Sequence, residues 1–181
     1  MNQDLGLLIG ENRNLLLQTR ELIEQLSEEQ YQRAHPEIGS NSLGEHVRHL
    51  IEHYEVFLAS SQSVDYDGRE RHPAPQRSTS VACRRLDELC DELDALTGGG
   101  SDGEAPMRLR YHPDDGSADA ELELGTTVAR ELAFVASHTL HHMALIRMLA
   151  VHMGIEPAAD FGVARATRLQ DTGRLPAASV G

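Results

Sequence analysis

Six histidines fall in two short stretches whose spacing suits side chains that share one metal ion. The first reads Glu45-His46-Val-Arg-His49-Leu-Ile-Glu-His53 and the second Glu131-Leu-Ala-Phe-Val-Ala-Ser-His138-Thr-Leu-His141-His142. On a helix, His138 and His142 lie one turn apart with Cβ atoms about 5–6 Å from each other. From that separation two imidazoles can reach one ion. His46, His49 and His53 fall within about 60° on a wheel of about 100° per residue. One such pair is more often a set of hydrogen-bonded core or surface histidines. Two clusters, each on a strongly apolar-periodic segment, favour a metal site. Imidazoles turned toward apolar neighbours need partners, because an unpartnered buried polar group costs about 1–3 kcal/mol. Three neutral imidazoles would leave an open position on zinc, nickel or iron, as catalysis requires, whereas a fourth would close a tetrahedral site. The expected cofactor is a divalent ion, zinc first and nickel as the alternative.

These side chains need helices to hold them. Residues 3–27 repeat leucine and isoleucine at helical spacing. Ser42-Leu-Gly-Glu45 is a capping box, with hydroxyl and carboxylate each satisfying the other residue's amide, and opens a helix to about Ser60. Residues 62–78 form a polar connection broken by Gly68, Pro73 and Pro75, and a loop of that length is commonly functional or disordered. Ser80 is expected to cap a third helix ending near Thr97. Met107 to Tyr111 and Ala120 to Leu124 alternate apolar and polar around Asp114-Asp-Gly116, a hairpin signal. Thr126 or Thr127 then caps the longest helix, which Gly154 and Pro157 terminate. Phe161-Gly-Val163 is an apolar patch able to dock on the helices. The expected fold is all-α: an antiparallel four-helix bundle over residues 1–165, with a long crossover loop and a small inserted β-hairpin. Residues 166–181 are expected to form a flexible tail.

Composition removes several classes of function. The chain has 181 residues, 40% hydrophobic and 25% charged, enough for one globular core. Its formal net charge of -13 argues against nucleic acid and anionic membranes. No stretch reads as a signal peptide or reaches the roughly 20 apolar residues that span a bilayer. Cys83 and Cys90 are seven apart on one helix, too far to bond to each other there. Reduced thiols and a cytoplasmic location are the expectation. A small-molecule substrate is the expected partner.

The motifs also resemble a known family. Ser42-Leu-Gly-Glu-His-Val-Arg-His49-Leu is similar to the second-helix motif of the DinB/YfiT-like superfamily, and His138-Thr-Leu-His-His142 to the H-x-x-x-H motif of its last helix. The Val64-Asp-Tyr-Asp-Gly-Arg69 loop and Asp160-Phe-Gly-Val-Ala164 are similar to segments of bacterial members. Asn41 stands where the family usually has tryptophan. The resemblance implies a four-helix bundle, commonly a homodimer, holding one divalent ion through three histidines. Carried over position by position, these are His49, His138 and His142. It implies a thiol S-transferase using a low-molecular-weight thiol, or a metal-dependent hydrolase.

His46, His53 and His141 are then expected to border the pocket, with three ligands to the ion and His53 lining the site at most. Glu131, seven residues before His138 on the same helical face, is a candidate to hold a ligand's second ring nitrogen, as are Glu45 and Glu52. Glu45 is expected to serve only its capping box. Arg48, Arg69 and Arg71 could bind an anion. The alternative is a non-catalytic metal-binding or stress-response module whose ion braces the bundle. A third reading is a metal-free helical interaction protein.

Overall fold

The computed structural model describes residues 3–38, 41–98, 102–114, 120–171 and 173. Four long helices carry the fold: α1 (Gln3–Ile23), α3 (Leu43–Ala59), α5 (Thr79–Gly98) and α6 (Val128–His152). The short α2 (Glu28–Gln32), α4 (Ala74–Arg77) and α7 (Arg165–Asp171) complete the helical part. The long helices pack in the cyclic order α1–α5–α3–α6. This order sets α3 directly against α6, so the two histidine-bearing faces meet.

The starts of these helices follow from local chemistry. Ser42 accepts from the Glu45 amide at 3.2 Å, while the Glu45 carboxylate accepts from the Ser42 amide at 3.0 Å. Ser27 and Gln30 form a second box at the start of α2. Thr127 caps α6 by accepting from the Arg130 amide. Helix α5 begins at Thr79, so Ser80 sits inside its first turn rather than capping it. The Glu28 carboxylate accepts from the Thr79 amide there, supplying the anion at the helix start from a neighbouring element.

The expected hairpin is present as β2 (Pro106–Tyr111) and β3 (Leu122–Thr127), antiparallel with Leu109 opposite Leu124. The Asp114–Gly116 turn extends outside the described residues. A third strand, β1 (Ser63–Val64), comes from the crossover connection and pairs parallel to β2, giving the order β1-β2-β3. The connection is therefore anchored: Val64 and Tyr66 are buried in the core. The expected all-α description is corrected to a helical bundle carrying a small three-stranded sheet.

The core is continuous, running from Leu5, Ile9 and Leu16 through Leu50, Ile51 and Phe57 to Val135, Ile146 and Phe161. Phe161 docks as its apolar patch implies. Gly162 follows at φ 66, where a Cβ would stand 2.7 Å from the Met143 backbone, so only glycine fits this approach to α6. Beyond it the chain does not become irregular at once, since α7 forms and Arg165 pairs with Glu11 at 3.0 Å. Cys83 and Cys90 are both free thiols. No helix among the described residues is long and apolar enough to cross a membrane.

Candidate metal centre

The α3–α6 interface gathers the imidazoles. His138 Nε2 lies 3.0 Å from His49 Nε2. Two nitrogens sharing an ion at about 2.0–2.1 Å stand about 3.0–3.4 Å apart, so this spacing is nearly that of a shared ion. One ring nitrogen each of His49, His53 and His138 lies within 4.8 Å of the others. The His142 ring packs on the same group, its centroid 4.4 Å from that of His49 and 4.7 Å from that of His138. Four rings therefore converge. His53, expected at the border, is in the tightest set because it is one turn beyond His49 on the same face. His142 is held somewhat aside, with its Nδ1 3.2 Å from His46 Nδ1. His141 is exposed, and its ring is 6.5 Å from that of His138.

The hydrogen bonds decide which nitrogens carry protons. The only hydrogen on a backbone carbonyl contact must come from the ring, so His53 Nδ1–H donates to the His49 carbonyl at 2.8 Å. In the neutral ring this leaves the Nε2 lone pair available. Arg69 has donors only, so its guanidinium donates to His49 Nδ1 at 2.8 Å and the neutral His49 carries its proton on Nε2. An ion at His49 Nε2 requires that proton to move to Nδ1 and Arg69 to give up this contact. Arg69 keeps two other anchors, Glu52 at 3.2 Å and the Tyr66 carbonyl at 2.9 Å.

The carboxylates fall into different roles. Glu45 closes its capping box. Glu52, buried, binds Arg69 and the His72 amide, and so steadies His49 through Arg69. Glu131, also buried, accepts from the Tyr66 hydroxyl at 2.9 Å, the Thr126 hydroxyl at 2.6 Å and Arg130 at 2.9 Å. It thus reaches the cluster through Tyr66, whose ring stacks on His53 at 5.4 Å. In the sequence Tyr66 is marked only by its place in the Val64–Arg69 loop.

Burial, ahead of the electrostatic influence of neighbouring imidazoles, pushes the His49 pKa down to about 2, His138 to about 4 and His142 to about 3. The same cause lowers His46 and His53. The folded cluster therefore stays neutral and able to ligate at pH 7. Unfolded histidines take up protons below about 6.5. Because folded values are depressed, the unfolded chain binds more protons as pH falls, and stability is lost from about 6.5 downward. The metal-free protein should unfold at lower urea concentration at pH 5 than at pH 7.5. Equal midpoints would contradict a neutral buried cluster.

A cavity of about 480 Å³ opens over His49, His53 and His138. Tyr66, Leu109, Tyr111, Leu124 and Phe134 give it apolar walls, and Arg69, Arg110 and Arg130 outweigh Asp67 in charge. Three of these wall residues, Leu109, Tyr111 and Leu124, come from the hairpin. Arg69 thus lies in the cavity wall as well as against His49, while Arg48 pairs with Glu52 at 3.6 Å.

Comparison with known proteins agrees with this architecture. The DinB superfamily pattern matches residues 16–146. The chain is also similar to a solved structure described as "YfiT from Bacillus subtilis is a probable metal-dependent hydrolase with an unusual four-helix bundle topology". That likeness has a TM-score of 0.59 at 17% identity, covering 86% of this chain and 91% of the other. No curated protein matches.

Proposed function

The chain belongs to the DinB superfamily, and from that premise we propose that it is a metal-dependent enzyme that transfers part of a small anionic substrate to a thiol or to water. The observation that supports this most is the convergence of neutral imidazoles at the floor of a cavity rimmed by arginines. Under this reading His49, His138 and His142 hold one divalent ion, zinc first and nickel second. His142 approaches from the closed side, oriented by His46, while the cavity side remains open. His53 stands on that open side.

A bound divalent ion supplies Lewis acidity that brings the proton of a thiol or water within reach of neutral pH. His53 is suited to take that proton, since its Nδ1–H is fixed on the His49 carbonyl and its Nε2 is an acceptor. Arg110 and Arg130 attract the carboxylates of a low-molecular-weight thiol or an anionic substrate, and Phe134 and Tyr111 cover its apolar part. The described relative, a probable metal-dependent hydrolase, supports the water branch of the reading.

One observation favours a second reading. His53 lies near enough to serve as a fourth ligand, and four imidazoles would make a closed brace rather than a catalyst. Cobalt-loaded protein separates the two. Adding cysteine or glutathione should produce a sulfur-to-cobalt charge-transfer absorption, and Arg110→Ala should raise the thiol concentration required. A cobalt spectrum unmoved by thiol, acetate or azide would sink the catalytic reading.

A further inference from the structure

A second histidine–carboxylate group lies at the end of α6. His152, in the last turn, has Nε2 3.1 Å from Glu37 Oε1. His35 Nδ1 is 3.0 Å from the same oxygen. The two rings meet edge to face at 5.2 Å. One ligand atom of each of the three side chains lies within 4.8 Å of the other two. They border a cavity of about 540 Å³ together with Arg33 and Met153. His152 is fourteen residues beyond His138, about 21 Å along the helix axis, so this group is separate from the first.

Hydrogen bonding holds His35 weakly. The residue is 3% exposed, and its Nε2 has no hydrogen-bond partner. The ring is thus held through one nitrogen, by a bond worth about 1 kcal/mol net. A metal bond at Nδ1 fixes such a ring far more firmly. Two imidazoles and one carboxylate present two nitrogens and one oxygen. That donor set suits zinc, nickel or cobalt, whereas calcium and magnesium prefer oxygen alone and copper(I) prefers sulfur.

We propose that His35, Glu37 and His152 form a second site for a divalent transition-metal ion of the zinc type, which clasps the turn at Pro36–Ile38 to the end of α6. For the ion to bind, the ring protons now shared with Glu37 Oε1 move to His35 Nε2 and His152 Nδ1, so that His35 Nδ1 and His152 Nε2 present lone pairs to it. Its remaining positions face the cavity and are filled by water. The clasp fixes the chain leading into α3 and lies apart from the cavity over His49.

Zinc titrated calorimetrically into chelator-treated full-length protein tests this, with paired chains that do or do not carry Glu37→Gln and His152→Ala. Both side chains are substantially exposed, 54% and 40%, so the substitutions leave the core intact. The double variant is expected to bind one equivalent less zinc than its parent. The same difference is expected on the wild-type and His138→Ala backgrounds, so failure of the first cluster changes the totals and leaves the difference. Identical stoichiometry in the paired chains overturns the proposal.

Discussion

Replacing His138 by alanine is expected to remove the ion bound between α3 and α6. His138 stands at the meeting point of the cluster, its Nε2 3.0 Å from His49 and its ring centroid 4.0 Å from that of His53. It belongs both to the close group with His49 and His53 and to the proposed ligand set with His49 and His142, so its loss breaks either arrangement. Loss of one of three neutral nitrogen ligands should weaken binding by at least about 100-fold, since changes even to groups behind the ligands cost about 10–100-fold. Dialysis against submicromolar zinc followed by elemental analysis reads the effect. The variant should retain its helical circular dichroism, because His138 is only half-buried and lies beside a cavity. Undiminished occupancy would remove His138 from the ligand set.

The second large effect concerns what holds the two histidine helices in register. Asn12 is fully buried. Its amide donates to the Leu8 carbonyl at 2.8 Å and the Leu132 carbonyl at 3.2 Å, while its oxygen accepts from the Tyr54 hydroxyl at 2.8 Å. The Tyr54 hydroxyl in turn accepts from Thr139 at 3.2 Å. One side chain thus joins α1, α3 and α6, and Tyr54 and Thr139 are the immediate neighbours of His53 and His138. Asn12→Ala leaves Tyr54 and the Leu132 carbonyl without their partner and opens a small void. The expected cost is about 2–4 kcal/mol, measured as a lower urea midpoint in the metal-free protein. A change under about 0.5 kcal/mol would mean that water satisfies this network as well as Asn12 does.

Much of this arrangement was legible because it is local. Ser42 and Glu45 fix the start of α3 within four residues, and the period of its histidines then fixes the face they share. Thr127 does the same for α6. The hairpin was legible from alternation, but β1 was not: two residues, Ser63 and Val64, carry no period, and their pairing depends on β2 more than forty residues on. Helical spacing alone gives the face of Glu131 but not its partners. It lies on the expected face, yet Thr126, Arg130 and, from the crossover connection, Tyr66 occupy its carboxylate. Spacing likewise does not rank His53 against His142, since each lies one turn from another cluster histidine on its own helix and only their partners, the His49 carbonyl and His46, distinguish them. The grouping of His35 with His152 had no local signal at all, because it exists only once α6 returns past the turn before α3.

The proposed enzyme requires an ion held by His49, His138 and His142 with its cavity side open. Zinc affinity measured side by side for His49→Ala, His142→Ala and His53→Ala, each carrying Glu37→Gln and His152→Ala, tests this most directly. The expected result is loss of the ion in the first two variants and near-parent affinity in the third. Equal loss in His53→Ala and His49→Ala would contradict it, making the centre a closed structural site of imidazoles rather than a catalytic one.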